Sequence, residues 1–296
     1  MSGRLTGEGF EVFGLDTIPP SKGQDPFVFQ EGDVTDRETV VRVVEEVRPD
    51  FIVHLASIGL TEKQRQMAEK IYATNIVGTV NLLEAVVGIG IDCRILVTGS
   101  SAAYGFTLDG ENPIKESNLL RPVNHYGTSK AAQDMLGYQY WKRFGLKVIR
   151  TRTFNNTAPG ESPEFVCSGF AKQIAEVEKG LKKPVIHVGN LSPVRDFTDT
   201  RDVIQGYYLL LRDGVPGEAY NICSGKGVSV EEILRLLSGL SRVSFRIRQV
   251  EEHMRAADVP VQIGDYSKMR DLTGWGPTIE LRRTLGDILD YWRARV

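Results

Sequence analysis

Tyr126 and Lys130, in the stretch Tyr-Gly-Thr-Ser-Lys, are the residues of this 296-residue chain whose types and spacing best suit chemistry. A helix is predicted over 126–144. A spacing of four at its start puts both side chains on one face, a turn apart. An ammonium held near a phenol favours the phenolate and lowers the tyrosine pKa. Such a pair can act as acid or base toward a carbonyl or a hydroxyl. The spacing alone is weak, because Tyr138 and Lys142 repeat it in the same helix, ~18 Å further along. Only the first pair lies at a helix start, so Tyr138 reads as packing and Lys142 as a solvated charge. Ser100 supplies a third group. It follows the apolar run 94–98 in VTGSSAAYG, and strand carboxyl ends are where site residues gather in parallel sheets. Its hydroxyl can hydrogen-bond a reacting oxygen. The alternative is a plain turn serine.

These residues need a scaffold. Strands are predicted over 11–16, 51–55, 94–98 and 147–150, with helices over 36–47, 68–87 and 126–144 between them. The alternation predicts an α/β fold, a Rossmann-like doubly wound parallel sheet with helices on both faces. Its strands are continuously apolar, as expected when both sheet faces are covered. After residue 153 proline and glycine become frequent. A strand at 219–222, a helix near 230–240, a strand near 244–250 and a helix near 281–295 then predict a smaller, mixed α/β domain. The expected division is 1–153 with 194–222 as the dinucleotide-binding domain, and 154–193 with 223–296 as the substrate-binding domain.

Composition narrows the function. A net charge of -2 gives no electrostatic case for nucleic acid or an anionic membrane. No apolar run approaches the ~20 residues of a membrane helix, and MSGRLTGEGFEVFG is too polar for a signal peptide. Cys93, Cys167 and Cys223 are far apart, without a CxxC, and read as reduced structural thiols of a cytoplasmic protein. The four histidines lack metal-ligand spacing, so no metal site is expected.

Taken together, the motifs resemble the extended short-chain dehydrogenase/reductase family. The matching stretches are Gly14–Asp16, Gly32–Val34, His54–Ala56, TNIVGTVNLLEA, SSAAYG, YGTSK and RDFTDTRDV, in the family's order. The resemblance implies a catalytic triad of Ser100, Tyr126 and Lys130, with Lys130 also on the nicotinamide ribose. It places Asp16, Asp33, Val34, Leu55 and Ala56 on the cofactor. The second half is most similar to GDP-4-keto-6-deoxy-mannose reductases, which make GDP-rhamnose. That similarity implies a GDP-sugar substrate held by Ser101, Asn155, Val188, Arg195 and Arg255. Guanidinium groups fork well onto phosphate oxygens; the alternative for Arg195 and Arg255 is a surface pairing with a neighbouring carboxylate, Asp196 or Asp258. Family dehydratases carry a carboxylate two residues after the catalytic serine or threonine. Ala102 stands there, so hydride transfer without dehydration is expected. A 4,6-dehydratase, a 4-epimerase and a catalytically silent nucleotide-binding protein are the competing readings.

Asp16 ends its strand, where a carboxylate accepts hydrogen bonds from ribose hydroxyls and repels a 2′-phosphate. This favours NAD(H), while nearby Lys22 leaves NADP(H) open. The family begins with a strand and a glycine-rich turn that cradles the pyrophosphate. Neither is found here, since Gly3, Gly7 and Gly9 lack the spacing. Gly9 is expected to end a helix. The sequence as it stands is therefore expected to lack its central strand and, by itself, to bind cofactor poorly. Family members pair through two helices, which implies a homodimer through 68–87 and 126–144.

Overall fold

The computed structural model describes residues 1–20, 27–59, 67–108, 110–251 and 259–296. The chain divides into two compact units. The first comprises Met1–Tyr104, Pro122–Arg152 and Ile204–Tyr220; the second comprises Gly105–Arg121, Thr153–Val203 and Asn221–Val296. The observed division departs from the expected one chiefly at 105–121 and 194–203, and at the boundary residues 153 and 221–222, all of which belong to the second unit. The reason is strand pairing. Strand Val194–Asp199 bonds to three other strands of that unit, and Ile114 bridges to Gly264.

The first unit opens with helix α1 (Ser2–Gly7), followed by Gly9 at a φ of +88°, the left-handed conformation that glycine adopts most easily. Strands β1 (Phe13–Asp16) and β2 (Val28–Glu31) pair in parallel. Helix α2 (Arg37–Val47) starts at Asp36, whose carboxylate accepts from the backbone N–H groups of Glu38 and Thr39. Then come β3 (Phe51–His54), the 22-residue helix α3 (Ala68–Ile89), β4 (Arg94–Ser100), α4 (His125–Phe144) and β5 (Lys147–Thr153). The main sheet has the order β3-β4-β5 followed by strand Ala219–Ile222. Strands β1 and β2 form a separate two-stranded sheet. The parallel strands of this unit thus lie in two sheets, and Phe13 of β1 and Phe51 of β3 are both 37% exposed.

The core of this unit joins Val40 and Val44 of α2, Leu83 and Val86 of α3, and Ile95 and Val97 of β4. Each such side chain stabilises the fold by about 1.5–3 kcal/mol. By length and composition α3 could cross a membrane, a property that unbroken apolar runs do not reveal because Asn75, Thr79 and Asn81 interrupt it. Half of that stretch is buried inside the unit, where α3 packs on α2 and α4 as a core helix. It contains a π-helical turn, Ala73–Val77, a feature frequent at functional sites.

The second unit packs helices Val166–Glu178, Val230–Ser238 and Leu281–Arg293 around Ile174, Ile186, Leu234, Leu237, Leu285 and Ile288. Strand Val194–Asp199 is its organising strand. It is parallel to Asn155–Thr157 and Val261–Gln262 and antiparallel to Gly227–Ser229. Partners of two or three residues carry no readable alternation, so the sequence predicted none of them.

Candidate functional site

The site of the first unit is built where β4 ends. Ser100 is extended (φ -145°) and caps the 3-10 turn Ser101–Ala103, its Oγ accepting from the Ala102 N–H at 3.2 Å. Helix α4 begins against this turn. Asn124 caps it, accepting from the Gly127 N–H at 2.8 Å. A Cβ on Gly127 would lie 2.5 Å from the Ala102 carbonyl oxygen. The glycine between Tyr126 and Thr128 therefore lets the helix start close to the serine turn. The result is a hydrogen bond between the Tyr126 and Ser100 side chains.

Lys130 lies one turn along, 3% exposed, with Nζ 5.7 Å from the centroid of the Tyr126 ring. Its Nζ donates to the Thr98 carbonyl at 3.0 Å. Burial lowers Lys130 to about 7. Burial also raises the Tyr126 phenol above its ordinary value, against a smaller lowering by Ser100. This corrects the expectation from spacing alone. Desolvation outweighs the Ser100 hydrogen bond here, and the phenol stays protonated at neutral pH.

Behind the pair is a buried polar network that the spacing of residues did not reveal. The Thr98 hydroxyl donates to the His54 carbonyl at 2.6 Å. His54 Nε2 lies 2.9 Å from the Thr79 hydroxyl, which also accepts from Gln133 Nε2 at 2.8 Å. Asn75 donates from Nδ2 to Ser129 Oγ at 2.9 Å and to the Ile58 carbonyl at 3.1 Å, and Ser129 Oγ donates to the Tyr126 carbonyl at 2.7 Å. The available signal was polar residues inside the apolar stretch TNIVGTVNLLEA. Arg152 adds a brace, joining Asp134 of α4 at 2.9 Å to the Tyr104 hydroxyl at 3.1 Å. In the second YxxxK pair Lys142 is exposed, as expected, but Tyr138 differs from its reading. Tyr138 is 47% exposed, under the Arg150 guanidinium at 5.4 Å, rather than packed.

The residues assigned to the cofactor stand at strand carboxyl ends. Asp16 is exposed at the end of β1, its Oδ1 accepting from the Ile18 N–H at 3.1 Å. Asp33 follows β2, accepting from the Thr35 N–H at 2.8 Å, with half-buried Val34 beside it. Leu55, 51% exposed, and half-buried Ala56 follow β3. Ser101 is buried in its turn.

In the second unit, Asn155 opens its strand opposite Phe197. Half-buried Arg195 donates from Nη1 to the carbonyls of Val194 at 2.9 Å and Pro260 at 3.3 Å. Asp196 turns to the backbone of Ser224, Gly225 and Gly264. Val188 corrects its expected role. It is 1% exposed in the apolar core, and its carbonyl accepts from the Val250 N–H at 2.9 Å. Its side chain is a packing group. Arg255, Asp258 and Lys22 lie outside the described residues.

Comparison with known proteins defines the class. The profile of the GDP-mannose 4,6-dehydratase family matches residues 11–288. The chain belongs to this family, within the extended short-chain dehydrogenase/reductases, a group of NAD(P)-dependent enzymes. It is 34% identical to GDP-6-deoxy-D-mannose reductase of Pseudomonas aeruginosa over 84% of this chain and 82% of that protein. It is 31% identical to GDP-6-deoxy-D-talose 4-dehydrogenase of Aggregatibacter actinomycetemcomitans over 90% and 83%. The structure of RMD from Pseudomonas aeruginosa complexed with NADPH superposes with a TM-score of 0.85, at 31% identity, over 93% of each chain. UDP-glucose 4-epimerase of Thermotoga maritima, 24% identical, shares the fold with a TM-score of 0.87 over 99% of this chain and 94% of that one.

Proposed function

We propose that the protein reduces the C4 keto group of a nucleotide-linked sugar, GDP-4-keto-6-deoxy-mannose to GDP-rhamnose, with a nicotinamide cofactor. The observation that carries this is the Tyr126–Ser100 hydrogen bond beside Lys130, with Ala102 at the position where a dehydratase needs a carboxylate. The exposed carboxylates Asp16 and Asp33 at strand ends suit the hydroxyl groups of a dinucleotide. A nicotinamide ring bound there would supply hydride to the sugar carbon. Tyr126 gives its proton to the carbonyl oxygen, and its raised pKa keeps it in the donating form at neutral pH. Ser100 hydrogen-bonds the same oxygen. Lys130 holds the phenol in place and reaches the nicotinamide ribose. The first unit thus takes the dinucleotide, and Asn155, Arg195 and Arg255 are the residues we assign to the GDP moiety.

The two relatives named as acting on GDP-6-deoxy sugars support this substrate. We also propose a homodimer through α3 and α4, because both helices expose apolar side chains, Val77 and Met135 among them. Light scattering of the purified protein tests this.

The deciding assay follows NADH and NADPH oxidation with GDP-4-keto-6-deoxy-mannose, with GDP-mannose as the dehydratase control. The protein is expressed with any in-frame coding sequence upstream of Met1 retained. Tyr126→Phe should lose about 10²–10⁴ in kcat. Full activity in that variant overturns the assignment. Tightly bound oxidised NAD in the purified protein would favour a 4-epimerase instead.

A further inference from the structure

The loop after β2 is fastened from a distant helix. Asn81 of α3 is 8% exposed, and its Nδ2 donates to two successive carbonyls, Val34 at 3.0 Å and Thr35 at 3.1 Å. One turn earlier on the same helix, Gly78 leaves the loop its room, since a Cβ there would lie 2.6 Å from Val34 Cγ2. The loop also carries Asp33, whose carboxylate is aimed by the Thr35 N–H at 2.8 Å. The chain of contacts runs from Asn81 to the Val34 and Thr35 peptides, and through Thr35 to the Asp33 carboxylate.

We infer that Asn81, with Gly78 leaving space beside it, is a positioning residue for the adenosine half of the dinucleotide cofactor. The inference rests on the reading above that the strand ends of the first unit hold this cofactor. A carboxamide with both hydrogens spent on adjacent carbonyls fixes two peptide planes at once. Without it, the partly buried carbonyls lose their donors and the loop samples other conformations. Ordering the loop on binding then costs affinity. Asn81 is neither acid nor base and lies on α3, away from the Tyr126–Ser100 contact, so turnover at saturating cofactor is unaffected.

The test measures dissociation constants for NADH, ADP-ribose and nicotinamide mononucleotide, with kcat, in Asn81→Ala, Asn81→Asp and Gly78→Ala. Circular dichroism confirms that each variant is folded, and Asn81→Asp keeps the side chain's size should Asn81→Ala fail to fold. Binding of NADH and ADP-ribose should weaken about tenfold. Mononucleotide binding and kcat at saturating NADH should stay within about twofold. Unchanged ADP-ribose binding in the folded variants overturns the inference. So does equal weakening of both half-cofactors, which marks a general structural role. With the protein expressed as for the deciding assay above, a wild type that binds neither NADH nor ADP-ribose overturns the cofactor reading itself, and this inference with it.

Discussion

Lys130 sets its Nζ 3.0 Å from the carbonyl oxygen of Thr98, so the buried ammonium leans on a neutral peptide. Burial then dominates and lowers its pKa from 10.5 to about 7. Between those values the unfolded chain binds a proton that the folded chain does not, so stability rises with pH across this window. Below about pH 7 both states are protonated, and the cost of burying the charge is felt in full. Relative to Lys130→Met, the wild-type protein should therefore gain stability from pH 7 to 10, at up to about 1.4 kcal/mol per pH unit. Urea denaturation at three pH values measures this, and a pH-independent difference between the two proteins would refute it.

His54 is predicted to leave an acid-side signature. Burial, with a smaller repulsion from Lys130, lowers its pKa from 6.5 to about 3. Its ring meets the Thr79 hydroxyl at 2.9 Å as a neutral imidazole. Below pH 6.5 the unfolded chain takes up a proton that the folded chain refuses, so stability falls as pH drops toward 3. His54→Gln removes this dependence. The stability difference between wild type and variant should shift against the wild type as pH falls from 7 to 4. Parallel pH profiles would show that His54 is protonated in the fold.

The pattern of success in reading the sequence has a physical basis. Tyr126 and Lys130 were legible because a helix turns a spacing of four into proximity. Ser100 was legible because strand ends are site positions in parallel sheets. The first unit's elements were legible because their apolar periods are long. Asn75, Thr79, Gln133 and Asn81 were not, since their partners lie 17 to 54 residues away. Only the folded chain brings them together. The direction of the Tyr126 shift was misread because spacing says nothing about burial. The alternative reading of Arg195 as paired with Asp196 fails, because on a strand successive side chains face opposite ways.

Asp16 should set cofactor choice. Its carboxylate stands exposed at the end of β1, where the adenosine ribose is proposed to lie. A carboxylate there bonds ribose hydroxyls and repels a 2′-phosphate. The wild-type protein is expected to prefer NADH over NADPH in kcat/KM. Asp16→Ala should shift that preference toward NADPH by about tenfold or more, the equivalent of ~1.4 kcal/mol. Kinetics with both cofactors decide it, and a wild-type preference for NADPH would place another group at the ribose.

Asp196 is predicted to matter for stability through backbone, not through Arg195. Its carboxylate accepts from the Ser224 N–H at 2.7 Å, the Ser224 hydroxyl at 2.6 Å, the Gly225 N–H at 2.9 Å and the Gly264 N–H at 3.2 Å. These bonds tie strand Val194–Asp199 to two loops of its unit. Asp196→Ala leaves three backbone donors without that acceptor, and each unmet donor costs about 1–3 kcal/mol when buried. A loss of at least about 3 kcal/mol is expected in urea denaturation. Asp196→Asn should recover little, because its amide nitrogen would face a second donor at one end of the carboxylate position. If the acid instead served to neutralise Arg195, Arg195→Ala would cost as much, and the double variant would cost no more than either. The backbone account requires Arg195→Ala to cost less than about 1 kcal/mol and the two effects to add to within about 0.5 kcal/mol.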